Sequence, residues 1–151
     1  MTSRRETLQR SAAVAALLAS AGFPQFAQAA THKAAFEAKT VPEAVKATGA
    51  LTLIESKDVV LTAPDIAENG AFVPMGVSTA LPGVKHVLLL VEKNPLSLVA
   101  LFQSSESLEN NFLTRAKMGQ TSDVYAVAVM ADGKALWTKK EVKVTLGGCG
   151  G

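Results

Sequence analysis

From Leu51 onward the chain is a succession of short apolar, β-branched runs, each closed off by turn-forming residues. The runs are Leu51–Glu55, Val59–Thr62, Ala71–Ala80, Lys85–Glu92, Leu98–Gln103, Phe112–Met118, Asp123–Ala131 and Ala135–Leu146. Between them stand Ala63–Gly70, Pro82-Gly83, Asn94-Pro95, Gly119–Ser122 and Asp132-Gly133. Asp-Gly between two alternating runs is a strong hairpin signal, because both residues tolerate the backbone that a tight turn requires. Tyr125, Val127 and Val129 share one face of the run before that turn; Val142, Val144 and Leu146 share one face of the run after it, with Lys143 and Thr145 opposite. Val87–Val91 is apolar at every position, as a central strand covered on both faces would be. Seven or eight short strands punctuated in this way predict an all-β fold, an antiparallel immunoglobulin-like β-sandwich. A true antibody-type domain is excluded, because its Cys…Trp…Cys core needs two cysteines and the chain has one.

The region before Leu51 has a different texture. Residues 33–47 read as one or two short helices at the edge of the domain, interrupted at Thr40-Val41-Pro42 and ended by Gly49. Earlier still, Arg4-Arg5 precede an Ala- and Leu-rich stretch from Ser11 to Phe23. That stretch is shorter than the roughly 20 apolar residues a membrane-spanning helix needs. Ala27-Gln28-Ala29 follows as an A-x-A cleavage site, which makes Ala30 the expected first mature residue. The expected organisation is a twin-arginine signal peptide over residues 1–29, a β-sandwich over 30–146 and a flexible arm over 147–151. The paired arginines imply export of an already folded domain to the periplasm.

Of 15 basic and 13 acidic side chains, residues 1–29 hold Arg4, Arg5, Arg10 and Glu6, leaving 12 of each sign. The mature domain is therefore neutral. It carries no basic patch for nucleic acid and no charge run for a membrane surface. A neutral surface also lacks self-repulsion, which favours a stable protein partner.

The most informative residues for function come last: Gly147, Gly148, Cys149, Gly150 and Gly151. Glycines have no side chain to pack and the widest backbone freedom, so this run predicts a flexible tether carrying the chain's only thiol. From Leu146 to Cys149 is three residues, about 10 Å at full extension. That reach places a sulfur inside a narrow cleft of another protein. An unpaired cysteine in an exported chain implies either an intermolecular disulfide or a thiol kept free for chemistry. An unassisted thiol is only a few per cent ionised at neutral pH. No basic residue follows Lys143, so activation is expected from a client enzyme's site.

Other chemistries find no support. His32 and His86 are the only histidines; His32 reads as a solvated residue beside the cleavage site and His86 as a surface or edge residue. One cysteine and two distant histidines make a poor zinc set. A cysteine-protease site would need a positioned base beside Cys149. No glycine-rich phosphate loop precedes a helix. Trp137 reads as core or interface packing. No metal, no cofactor and no catalytic residue is expected. A ubiquitin-like modifier also ends in Gly-Gly, but there the reactive group is the terminal carboxylate, and the export signal, the cysteine and the strand pattern argue against it.

The C-terminal run Val142-Lys143-Val144-Thr145-Leu146-Gly147-Gly148-Cys149-Gly150-Gly151 resembles the end of the SoxY family, sulfur carriers of periplasmic thiosulfate oxidation. Pro64-Asp65-Ile66-Ala67-Glu68-Asn69-Gly70-Ala71-Phe72-Val73-Pro74 is similar to that family's P-x-I-A-E-N-G-x-x-V-P segment. Arg115-Ala116-Lys117-Met118, Thr121-Ser122 and Val124 to Ala128 also fit, whereas Asn94-Pro95-Leu96-Ser97-Leu98 departs from its N-P-x-P-L loop. The resemblance implies a heterodimer with a SoxZ-like β-sandwich subunit and a sulfur substrate held covalently on Cys149. It implies three transient partners: a c-type cytochrome pair that joins thiosulfate to the thiol, a hydrolase that releases sulfate, and a sulfur dehydrogenase. The carrier itself would not be an enzyme.

Overall fold

The computed structural model describes residues 32–146. The expected signal peptide, the cleavage site at Ala29/Ala30 and the arm residues Gly147, Gly148, Cys149, Gly150 and Gly151 lie outside the described residues.

Among the described residues two short helices come first. Helix α1 covers residues 32–37 and α2 covers Val41–Ala47. The break between them follows from Thr40, whose extended backbone and side-chain oxygen cap α2, with Pro42 in its first turn. Gly49, at φ 91°, closes α2 in the left-handed region.

Nine strands follow: β1 (Thr52–Glu55), β2 (Val59–Thr62), β3 (Ile66–Ala67), β4 (Val73–Thr79), β5 (Val84–Val91), β6 (Leu98–Gln103), β7 (Asn110–Ala116), β8 (Ser122–Met130) and β9 (Lys134–Val144). One sheet has the order β1-β9-β8-β5-β6, with β3 also paired to β9; the other has the order β2-β4-β7. The expected immunoglobulin-like sandwich is present, and the expected hairpin turns at Asp132-Gly133, where β8 and β9 pair antiparallel. Two pairings differ from a purely antiparallel design. β1 runs parallel to the first half of β9, and β3 runs parallel to its end. β3 lies within the stretch Ala63–Gly70, which had read as a turn. Two residues are too few for a periodic signal, and only β9 makes them a strand.

β5 shows how the sandwich is held together. Val87, Leu89 and Val91 point between the sheets and meet Val73, Met75 and Val77 of β4 in one core. Leu88 and Leu90 point the other way, into a second core beneath the helices with Ala35, Ala44 and Val45. All five β5 residues from Val87 to Val91 are fully buried, which is why the run has no polar alternation. Burying a leucine or valine side chain stabilises by about 1.5–3 kcal/mol. Trp137 is half-buried on the helix side against Tyr125, with ring centroids 5.7 Å apart.

His86 is not a surface residue. It is 2 % exposed. A bulge between Val84 and His86 in the β5–β8 ladder changes the phase of the strand. Val84 and Val87 therefore face the sandwich core, while His86 joins Leu88 and Leu90 on the helix side. His32, expected to be solvated, is half-buried in α1 and sits edge-on to His86 at 5.3 Å between ring centroids.

Candidate functional site

The strand that leads to Cys149 is the longest among the described residues, eleven residues from Lys134 to Val144. It is paired on one side by β8 from Ser122↔Val142 to Val129↔Ala135. On its other side β1 covers the beginning and β3 the end. β9 therefore outruns β8, which starts opposite Val142.

Past that point the segment Pro64–Gly70 takes over. Lys143 N–H donates to the Asp65 carbonyl at 3.0 Å, Thr145 N–H to the Ala67 carbonyl at 3.1 Å, and Gly70 N–H to the Leu146 carbonyl at 2.8 Å. The Thr145 hydroxyl donates to the Glu68 carbonyl at 3.1 Å. On the opposite edge, Val144 N–H donates to the Thr121 hydroxyl at 3.0 Å. Upstream, the Lys140 ammonium reaches both the Ala63 carbonyl and the Asp65 carboxylate at 2.8 Å. That hydrogen bond and the adjacent positive charge hold the Asp65 carboxyl below its usual range. The residue similar to the start of the P-x-I-A-E-N-G motif thus begins a backbone clamp that follows β9 to its end.

Leu146 is the last described residue. It was expected to share one face of its strand with Val142 and Val144, but β9 ends at Val144 and Leu146 is 65 % exposed. No neighbouring strand of the larger sheet extends that far, so its side chain has nothing to pack beside. Ile66 of β3 and Phe72, just before β4, are exposed too.

The remaining candidates are not assembled into sites. No group of three or more His, Cys, Asp or Glu side chains stands together among the described residues. His32 and His86 meet in the helix-side core, on a different face of the sheet from the Asp65–Gly70 clamp. A broad cleft of about 1150 Å³, lined by Lys57, Ser78, Lys85, Ser104 and Glu109, opens at the other end of the strands from the root. No described helix is long and apolar enough to cross a membrane. Residue by residue, sequence reasoning missed the holding role of Asp65–Gly70 and of Thr121. Their only signal was the motif likeness, which carries no geometry.

Fold and site together define an immunoglobulin-like β-sandwich whose final strand is clamped to its end and then continues into a cysteine-bearing segment. The family described as sulfur oxidation protein SoxY matches residues 44–149. Among solved structures, the sulfur carrier protein SoxY from Chlorobium limicola f thiosulfatophilum is 32% identical, with TM-score 0.64, covering 71% of this chain and 97% of that one. A superoxide reductase (neelaredoxin) from Ignicoccus hospitalis shares the fold alone, at 16% identity and TM-score 0.51, covering 57% of this chain and 79% of that one. No curated protein sequence matches. The chain belongs to the SoxY family of sulfur oxidation proteins.

Proposed function

We propose that the protein is a periplasmic sulfur carrier whose Cys149 thiol holds thiosulfate-derived intermediates and presents them in turn to separate enzymes. The observation that carries the reading is positional. The only cysteine stands three residues beyond Leu146, whose carbonyl is still held by the Gly70 N–H. A rigid root and a glycine-flanked thiol make a short lever, with a reach of about 10 Å to Cys149. The exposed Ile66, Phe72 and Leu146 offer a client enzyme apolar contacts.

The carrier's chemistry is simple in this reading. The Cys149 thiol and thiosulfate form a sulfur–sulfur bond, with a proton released and two electrons passing to a c-type cytochrome pair. Water then cleaves the terminal sulfur from the conjugate as sulfate and leaves a persulfide on Cys149. A sulfur dehydrogenase oxidises the remaining sulfane sulfur. The carrier contributes the attachment atom and its presentation, and each client supplies the catalytic groups. Residues 1–29 serve as a twin-arginine signal cleaved before Ala30, residues 30–146 form the folded body, and Gly147, Gly148, Gly150 and Gly151 give the thiol its freedom. A SoxZ-like subunit is the stable partner.

The test is Cys149→Ser in a reconstituted thiosulfate-oxidising system. Electron transfer should be abolished, because a serine hydroxyl cannot form the disulfide-like bond. Stability should change by less than about 0.5 kcal/mol, as for a surface position. Full turnover by the variant refutes the carrier role. Intact mass under non-reducing conditions gives a second check: sulfur adducts on Cys149 support the carrier, and a reducible doubling of mass supports an intermolecular disulfide instead.

A further inference from the structure

Backbone N–H groups along a strand point alternately to its two edges. At the end of β9 these edges are held by different means. The N–H groups of Lys143 and Thr145 find carbonyls on the 65–70 segment. The Val144 N–H points the other way, toward β8, whose ladder has already stopped at Ser122↔Val142. No backbone carbonyl is in register to receive it. The Thr121 hydroxyl does so at 3.0 Å. Thr121 is the residue immediately before β8 begins, so its side chain stands in for the carbonyl that a longer β8 would have supplied.

We propose that Thr121 is a positioning residue for the carried sulfur: its hydroxyl fixes the far edge of β9 and so sets the direction in which the Cys149 arm leaves the sandwich. This rests on the carrier reading above. With bonds on one edge only, the last residues of β9 can pivot about the 65–70 segment. With the Val144 bond in place both edges are tied as far as Val144. Losing the Thr121 bond moves the last doubly held point back toward Val142. For a client that first docks on the sandwich, insertion of the arm is an intramolecular step. Its effective concentration falls as roughly the −3/2 power of tether length. Moving the last doubly held point from Val144, five residues before Cys149, to Val142, seven before it, lowers it by at most about 1.7-fold, because the bonds to the 65–70 segment remain. Thr121 does not touch substrate in this scheme.

Thr121→Val removes the hydroxyl and keeps the shape; Thr121→Ser restores an acceptor. Three readouts apply to the full-length mature carrier in complex with its partner subunit. Hydrogen exchange at the Val144 amide should accelerate in Thr121→Val and return to the wild-type rate in Thr121→Ser. With the thiosulfate conjugate of each carrier as substrate, the sulfate-releasing hydrolase should show a KM raised by up to about 1.7-fold for Thr121→Val, with kcat unchanged, and wild-type values for Thr121→Ser. Alkylation of Cys149 by iodoacetamide, which needs no direction of approach, should proceed equally in all three. The proposal is overturned if Val144 exchange accelerates while KM stays at the wild-type value, if exchange does not change at all, or if the loss falls on kcat. Failure of the carrier reading itself looks different: the hydrolase would ignore the wild-type conjugate, whatever stands at position 121.

Discussion

Acid should weaken this protein through His86. The imidazole is 2 % exposed, in the helix-side core. Burial, then the neighbouring His32, then Lys85, lower its pKa from 6.5 to about 4. The groups opposite it on the flanking strands, Gln103 of β6 and Val129 of β8, carry no charge. An unfolded chain takes up the proton near pH 6.5, whereas the native state resists until about pH 4. Stability from neutral His86 is therefore complete above pH 6.5, declines as the pH falls, and levels off below about 4. At 1.36 kcal/mol per pH unit the whole span is worth about 3 kcal/mol, of which about 2 kcal/mol is lost between pH 7.5 and pH 5. His86→Phe keeps a ring and removes the titration. Urea unfolding of both proteins at pH 7.5 and pH 5.0 gives the difference of differences, which cancels the other titrating groups and any neutral-pH effect of the substitution. The wild type should lose about 2 kcal/mol more than the variant. Equal losses would refute the reasoning and would mean that His86 titrates in the native state much as it does in the unfolded chain.

Other expectations follow from packing and from the address. Leu89→Ala empties a fully buried position between the sheets and should cost about 2–5 kcal/mol, read as a lower urea midpoint. A Cβ at Gly76 would stand 2.5 Å from Leu113 Cδ2 and 3.2 Å from the Phe112 carbonyl oxygen. Gly76→Ala should therefore destabilise by about 1–3 kcal/mol. Part of that loss should disappear in a Leu113→Ala background, because Leu113 is 78 % exposed and its side chain is the nearer obstacle; an undiminished loss would assign the cost to the Phe112 backbone instead. N-terminal sequencing of the exported protein should begin at Ala30, and a start at Thr2 would contradict a cleaved signal.

Much of the fold was legible because its cause is local. The apolar run Val87–Val91 announced a strand covered twice, and β5 does lie between two cores. Asp132-Gly133 announced its hairpin, and the Thr40–Pro42 break left open one helix or two, which the structure resolves as two. His86 was misread because a histidine that opens an apolar strand looks like an edge residue; alternation with Leu88 and Leu90 puts it on the helix side, and only the helix residues packed there, His32 among them, bury it. β3 was misread because a two-residue strand has no period of its own.

The sequence by itself determined the class of fold, since hydrophobic period and turn chemistry act between residues a few positions apart. It also determined the candidate attachment atom, since a lone cysteine among four glycines is conspicuous wherever the chain goes. Only the tertiary structure decided what holds the strand before that cysteine. Asp65, Ala67, Gly70 and Thr121 lie between 23 and 78 residues away from the positions they grip, and their contacts are backbone or hydroxyl hydrogen bonds. Such bonds depend on where two distant segments come to rest, and peptide groups are the same in every residue, so no pattern of side chains could have announced them.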